Sequence, residues 1–573
     1  MNFKTFLCLL RFTCLLTAVI LGLSPAVAGA QAVTPPPGAV IKPNVHLEIP
    51  PPQLRTWQEM EAAAALEAAG PPPPPRVKPF RPTIGDAAYK ALKAKAAQAL
   101  QAPAALGITA PAPLAPTALT SKINFDGVNS VTAGNFRPPD TEGAAGLNHF
   151  VEITNSHLDI YLKAAPNNLV KSVPLSSFFG YTAQSLFDPR VIYDSISQRW
   201  IISADAFTES TTVQKFFFAV SQGLPNDSSD PTGAFYIYNV NVSDGLGGFW
   251  DFPQVGQDRN AVIFTANFFD SLDNFIDARM FTVAKSLLYS GPSQTIIPTK
   301  LFTNLVGTLS APIVLDTNPN TYLVAADSGI NVNTVTIYTL TNSAANPPTL
   351  NSTNPDHITV PTYSFPANAP QPGTGAQLDT SDARFVNAGT QIGNSLFQVH
   401  SISISPTTQD RAICRFYEFD TVNKTVSQHG DFSRSGTSFD FNVSIAANRH
   451  KDVFVTWSAT DPNNPNPDPA DRVNAEVRFS GRLVSDPLNV IPSPGSLLFG
   501  SATFLSGNPD PSNPTIQRWG DYSAVSFDPA DPRGATAWIV NERILGNATW
   551  GSRIGSVILP NCLPAAYLLL LLD

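Results

Sequence analysis

Cysteine, histidine and basic charge are all scarce in this sequence, and each scarcity excludes a class of protein. Four cysteines occur, Cys8, Cys14, Cys414 and Cys562, and the first two fall in a segment expected to be removed. At most one pair, Cys414 with Cys562, then survives, so a disulfide framework does not hold the chain together. Lys and Arg number 35 against 44 Asp and Glu, a formal net charge of −9, and no basic face is visible. Nucleic acid is excluded as a partner, because neutralising phosphates needs such a face. The 7 histidines are scattered, without a pair at metal-ligand spacing on a helix, and no thiolate pair exists for zinc. There is no G-x-S-x-G elbow and no glycine loop leading from a strand into a helix, which disfavours that type of serine hydrolase and a phosphate cradle. No apolar run is long enough for a stable membrane span.

What is present begins with an export pattern over residues 1–30. Lys4 and Arg11 form a positive start, Phe12 to Leu23 an apolar run, and Ala28 and Ala30 offer small-residue cleavage positions. The expected location is therefore secreted, extracellular or cell-surface, with the periplasm included. Residues 31–120 are rich in Pro and Ala, with five consecutive prolines from Pro71 to Pro75, and read as a linker. Two short helices are expected in it. Thr56 and Glu59 make a capping box ahead of a run closed by Gly70, and Asp86 to Gln101 is the second. Both lack a strong apolar stripe and read as loose spacer helices. At the other end, residues 561–573 form an apolar tail far too short to span a bilayer.

Residues 121–560 carry diverged repeats. A short apolar strand ending in a small, polar or acidic residue recurs as HFVEITNS, RWIISADA, AVIFTANF, TYLVAADS, SLFQVHSI, DVFVTWSA and TAWIVNER. Each follows another short strand (AAGL, RVIYD, QVGQ, PIVLD, ARFV, NVSIA, SAVSF) across a tight polar turn, the connection of a hairpin. A third strand follows every copy, and a fourth follows all but the last. One strand is left over at the front, Lys122 to Gly127. Borrowed by the last unit, it closes an all-β, seven-bladed propeller of four-stranded blades. The Pro/Asn-rich stretches Thr341 to Pro355, Pro366 to Gly375 and Asp461 to Arg472 read as surface excursions.

The repeats also carry an acid, often with an arginine, near the entrance to their first strand. These are Asp140 and Glu142, Asp188 and Arg190, Asp258 and Arg259, Asp382 and Arg384, Asp440, and Arg518 with Asp521. First strands of a propeller line its axis, so these groups could converge at a channel mouth. A ring of acids could hold a hard cation such as calcium through oxygen ligands, and acids with arginines could meet an anionic or sugar ligand. The same groups could equally cap turns and neutralise one another inside the scaffold.

The phrases PPDTEGAAGLNHFVEITN, FDPRVIYDSISQRW, WDFPQVGQDRNAV and RWGDYSAVSFDPADP resemble those of uncharacterised secreted bacterial propellers of the broad sialidase-like (BNR-type) group. The resemblance implies a propeller fold and no settled activity. Sialidases carry Ser-x-Asp-x-Gly-x-x-Trp hairpins, whereas SDGLGGFW here has Gly245 at the Asp position. The expected function is a monomeric secreted propeller that binds a glycan, protein or matrix ligand through its loop face. The alternative is a sialidase-like glycosidase using the axial Asp and Arg residues. Sequons at Asn226, Asn442 and Asn547 matter only where the host glycosylates.

Overall fold

The computed structural model describes residues 46–70, 76–99, 118–164, 169–291, 296–327, 329–404, 411–462 and 473–559. The expected signal peptide, Cys8, Cys14, Cys562, the run Pro71 to Pro75 and the apolar tail lie outside the described residues. Cys414 is buried as a free thiol.

The body is mostly β, built of antiparallel meanders that follow one another along the chain in a propeller-like manner. The first runs Glu142–Ala145, His149–Thr154, His157–Leu162 and Leu169–Pro174, and the second from Leu186–Asp194 through Arg199–Ala206 and Lys215–Gly223 to Ala234–Asn241. Later meanders begin at Phe249–Gln257, Thr390–Ile392, Phe439–Ala447 and Ala524–Phe527. Between the meanders that begin at Phe249–Gln257 and Thr390–Ile392, Ile313–Val314 precedes the meander of Asn320–Ala326, Val332–Thr341 and Asp356–Tyr363. The final sheet is completed from the front of the chain. Thr120–Asn129 pairs antiparallel with Thr549–Ile558, placing Phe125 opposite Ile554 and Asp126 opposite Arg553. This is the pairing expected for Lys122 to Gly127.

Burial explains why the second strands read as apolar runs rather than alternating ones. All nine residues of Ala261–Phe269 are buried, because a neighbouring sheet covers each face. One such interface packs Phe216, Phe218 and Tyr238 of one sheet against Trp250, Phe264 and Phe281 of the next. One expected strand differs. ARFV is not extended pairing; the strand of that unit is Thr390–Ile392. The Val386 carbonyl instead accepts from the side chains of Arg190 and Gln254, so side chains satisfy that backbone in place of a ladder.

The Pro/Ala-rich segment corrects the reading of loose spacer helices. Gln53–Arg55 adds a fifth strand to Ala234–Asn241, and His46–Ile49 pairs with Ile297–Lys300. The helix Trp57–Ala68 has the expected capping box at Thr56 and Glu59. It is anchored by Trp57, which packs on Phe178 and Phe235 and donates its indole N–H to the Pro231 carbonyl at 2.8 Å. The second helix, Asp86–Ala99, buries Lys93, whose ammonium donates to the Pro366 carbonyl and to Thr380. A few large anchors do here what an apolar stripe does in an amphipathic helix. Pro366 to Gly375 is likewise not a free excursion, since Ala367, Ala369 and Gln371 are buried.

Candidate functional site

The site is built by a repeated backbone irregularity at the entrance to the first strands. Asp140, Asp188, Phe252 and Asn442 all have φ between 48° and 58°. At three of these positions the hairpin register slips: between Phe187 and Arg190, Asp251 and Gln254, and Phe441 and Ser444. A bulge with a left-handed residue re-aims the side chains beside it. Here it directs carboxylates together above the strands and places Glu142, Arg190, Gln254 and Ser444 two residues further on.

Asp140, Asp188 and Asp521 converge, joined by Asp251, and a lysine from the Pro/Ala-rich segment occupies their centre. Lys78 Nζ lies 2.5 Å from Asp188 Oδ2, 3.2 Å from Asp251 Oδ1 and 3.8 Å from Asp521 Oδ2, with its side chain 1% exposed. Burial by itself would lower the pKa of Lys78, but attraction to Asp188, Asp251, Asp521 and Asp140 outweighs it and holds the ammonium charged. Asp188 also accepts from the Tyr522 hydroxyl and the Phe252 N–H. Arg518 bridges Asp379 at 2.7 Å and Asp521 at 2.9 Å, and Arg384 pairs with Asp382 at 2.6 Å. Asp140 accepts from Asn155 and from the Asp521 N–H, tying the first sheet to the last. Burial, reinforced by repulsion from Asp521 and Asp188, pushes its carboxyl well above the usual range. Asp205 is raised for the same first reason, with Asp188 and Asp251 as the repelling neighbours.

The centre of the acids, where a hard cation such as calcium could have been held, is occupied by the Lys78 ammonium group. Among the described residues, no group of three His, Cys, Asp or Glu side chains is arranged to hold a metal ion.

Below this cage a polar belt crosses the centre. Arg190 donates to Glu142 at 2.9 Å, to Asn387 Oδ1 at 3.0 Å and to the carbonyls of Pro253 and Val386, and its guanidinium stacks 3.4 Å from the Tyr522 ring centroid. Asn387 donates to Ser444, which in turn meets Ser523. A cavity of about 90 Å³ is lined by this belt and by residues of the successive first strands, among them Ala144, Val191, Val255, Ile313, Ala388, Ile445 and Val525.

Other expected site residues lie elsewhere. Asp258 stands at the far end of its strand and caps the hairpin turn, accepting from the N–H groups of Asn260 and Ala261 and from the Thr321 hydroxyl. Asp194, Asp316 and Asp528 cap turns in the same manner. Arg259 is exposed. Asp440 faces a sheet interface, accepting from Trp457 Nε1, Ser438 and the Arg434 N–H, and burial raises its pKa to about 6. Lys78 and Asp251 were not anticipated. Aligning FDPRVIYD with WDFPQVGQD on their prolines matches Asp194 to Asp258 and Asp188 to Phe252, which leaves Asp251 one residue ahead of the left-handed position as the acid of that unit. The sequon at Asn442 is buried, its amide donating to the Tyr522 carbonyl.

No family model and no curated protein matches the chain. Solved structures with some likeness include a Synechocystis apocarotenoid oxygenase mutant at 9% identity and TM-score 0.35, covering 61% of this chain and 72% of that one. A neuraminidase-like protein from a little yellow-shouldered bat isolate reaches 9% and 0.33, covering 65% and 98%. A Trypanosoma rangeli sialidase mutant displaying trans-sialidase activity reaches 12% and 0.32, covering 66% and 55%. Likeness at this level carries no statement about activity.

Proposed function

We propose that this chain is an exported seven-bladed propeller of the sialidase-like kind that binds an extracellular glycan or protein ligand through its loop face. The count of seven is supported by the meanders in succession and by the last sheet's borrowed strand, Thr120–Asn129. The observation that carries the binding reading is that the axial Asp and Arg groups, which the glycosidase alternative would use, are already engaged. Asp188, Asp521, Arg518 and Arg190 are buried and partnered within the chain, each by a group more than 100 residues away in sequence. Such groups do scaffold work, which leaves recognition to exposed loops. Leu246 and Leu272, 62% and 79% exposed on two such loops, are the kind of apolar contact a ligand face uses.

The glycosidase alternative needs two carboxyl groups flanking a bond. Among the described residues lining the central cavity, Glu142 is the one carboxylate. The test is glycan-array and pull-down screening of the full chain, with chromogenic glycosides assayed in parallel. Ligand capture without turnover is expected. Turnover that disappears in folded Asp188→Asn and Asp521→Asn would replace the binding reading with the glycosidase, and no capture at all would remove it.

A further inference from the structure

The central cavity is lined by the belt of Arg190, Glu142, Asn387 and Ser444 and by strand residues. The walls are largely apolar, with Ile192, Ile313, Val525 and Phe527 only partly buried, and are interrupted by the hydroxyls of Ser195, Thr390, Ser523 and Ser526. A concave apolar wall with a few convergent polar groups is the usual form of a small-molecule site. We propose that this cavity binds a small aliphatic molecule carrying a hydrogen-bond-donating head, an alcohol or amine, with the head on Glu142.

The belt selects the head group. Arg190 has committed Nε, both Nη1 protons and one of its two Nη2 protons to Pro253, Glu142, Asn387 and Val386. Glu142 accepts one bond from the Gly143 N–H and one from Arg190, while a carboxylate offers about four acceptor sites. Its side chain keeps 12% exposure, against 4% for Arg190. At Glu142 the floor therefore presents lone pairs. A donor head is matched, and a carboxylate head meets an acceptor of its own sign. Burial raises the Glu142 pKa to about 7, so the donor preference strengthens as pH rises past that value.

Size selects the body. A cavity needs roughly 10–15 Å³ to hold one water. The cavity of about 90 Å³ therefore takes a ligand of roughly six to nine non-hydrogen atoms.

Calorimetry or ligand-observed NMR on the full chain, with hexan-1-ol, hexylamine and hexanoate as probes, tests this. The alcohol or the amine should bind, with hexanoate at least tenfold weaker. Val525→Trp, which fills the wall, should abolish binding, and Ile313→Trp does the same from another strand should the first variant not fold. The proposal is overturned by hexanoate binding as well as the other two, by no binding of either donor, or by binding that survives in a folded filling variant. Glycan or protein capture by Val525→Trp at wild-type level keeps the loop-face reading separate from this result.

Discussion

The ammonium of Lys78 donates to both carboxylate oxygens of Asp188 at 2.5 Å, across 110 residues of chain. Neither group is reachable by water, and each is the other's nearest counter-charge in a cage that Asp251 and Asp521 complete. Removing one partner of such a pair leaves an uncompensated buried charge, typically at about 3–5 kcal/mol. Lys78→Met should therefore lower stability by about that amount in urea unfolding. The double variant Lys78→Met with Asp188→Asn should recover part of the loss, and a loss under about 1 kcal/mol in the single variant would mean the cage does not hold the segment.

The Pro/Ala-rich segment is part of the folded body, and Trp57 is the side chain that decides this. It is 4% exposed, packed on two phenylalanines and hydrogen-bonded through its indole. Truncating a buried Trp to Ala typically costs about 3–5 kcal/mol. Trp57→Ala should lower the melting temperature cooperatively, and a chain starting at residue 118 should be far less stable than the full one. Equal melting temperatures would restore the spacer reading.

Stability should depend on pH through Glu152. Its carboxyl is buried, and burial, followed by repulsion from Asp159, raises its pKa from 4.5 to about 7. The native state then keeps a proton that the unfolded chain loses as pH rises from 4.5, so stability falls with pH across that window and levels off above about 7. A displacement of this size corresponds to about 3 kcal/mol. Glu152→Gln keeps acceptors for the Val128 N–H and the Tyr161 hydroxyl while removing the titration. It should flatten the slope of urea stability against pH between 4.5 and 7; an unchanged slope assigns the dependence to other groups.

The repeats were legible because the second strands are buried on both faces and so read as apolar runs bounded by turns. The borrowed strand was legible because counting left Lys122 to Gly127 without a sheet. Lys78 was not, since its partners are set by tertiary placement and lie far along the chain. Its local sign is faint but real: RVKPFRP sets three cations between prolines, in a chain where charge is only 14% of residues. Asp258 was misplaced by the neighbouring Arg259, which gave GQDR the look of FDPR. A turn cap and an axial acid are the same residue type in nearly the same local sequence, and only the bulge separates them.

That separation gives a direct contrast between Asp251 and Asp258. Asp251 faces Lys78 at 3.2 Å and Arg81 at 3.4 Å, and although burial opposes it, these cations hold its carboxyl below the usual range. Asp258 bonds two N–H groups of its own turn and one hydroxyl of the next sheet. Losing a capping acid typically costs about 0.5–2 kcal/mol, and losing one partner of a buried charged group costs more, about 3–5 kcal/mol. Asp251→Ala should therefore destabilise clearly more than Asp258→Ala in the same urea titration. The two should also differ in coupling. Asp251→Ala should be strongly non-additive with Lys78→Met, because the two groups share one cage, whereas Asp258→Ala should add to it within about 0.5 kcal/mol. Additivity of Asp251→Ala with Lys78→Met would break the cage into independent pairs.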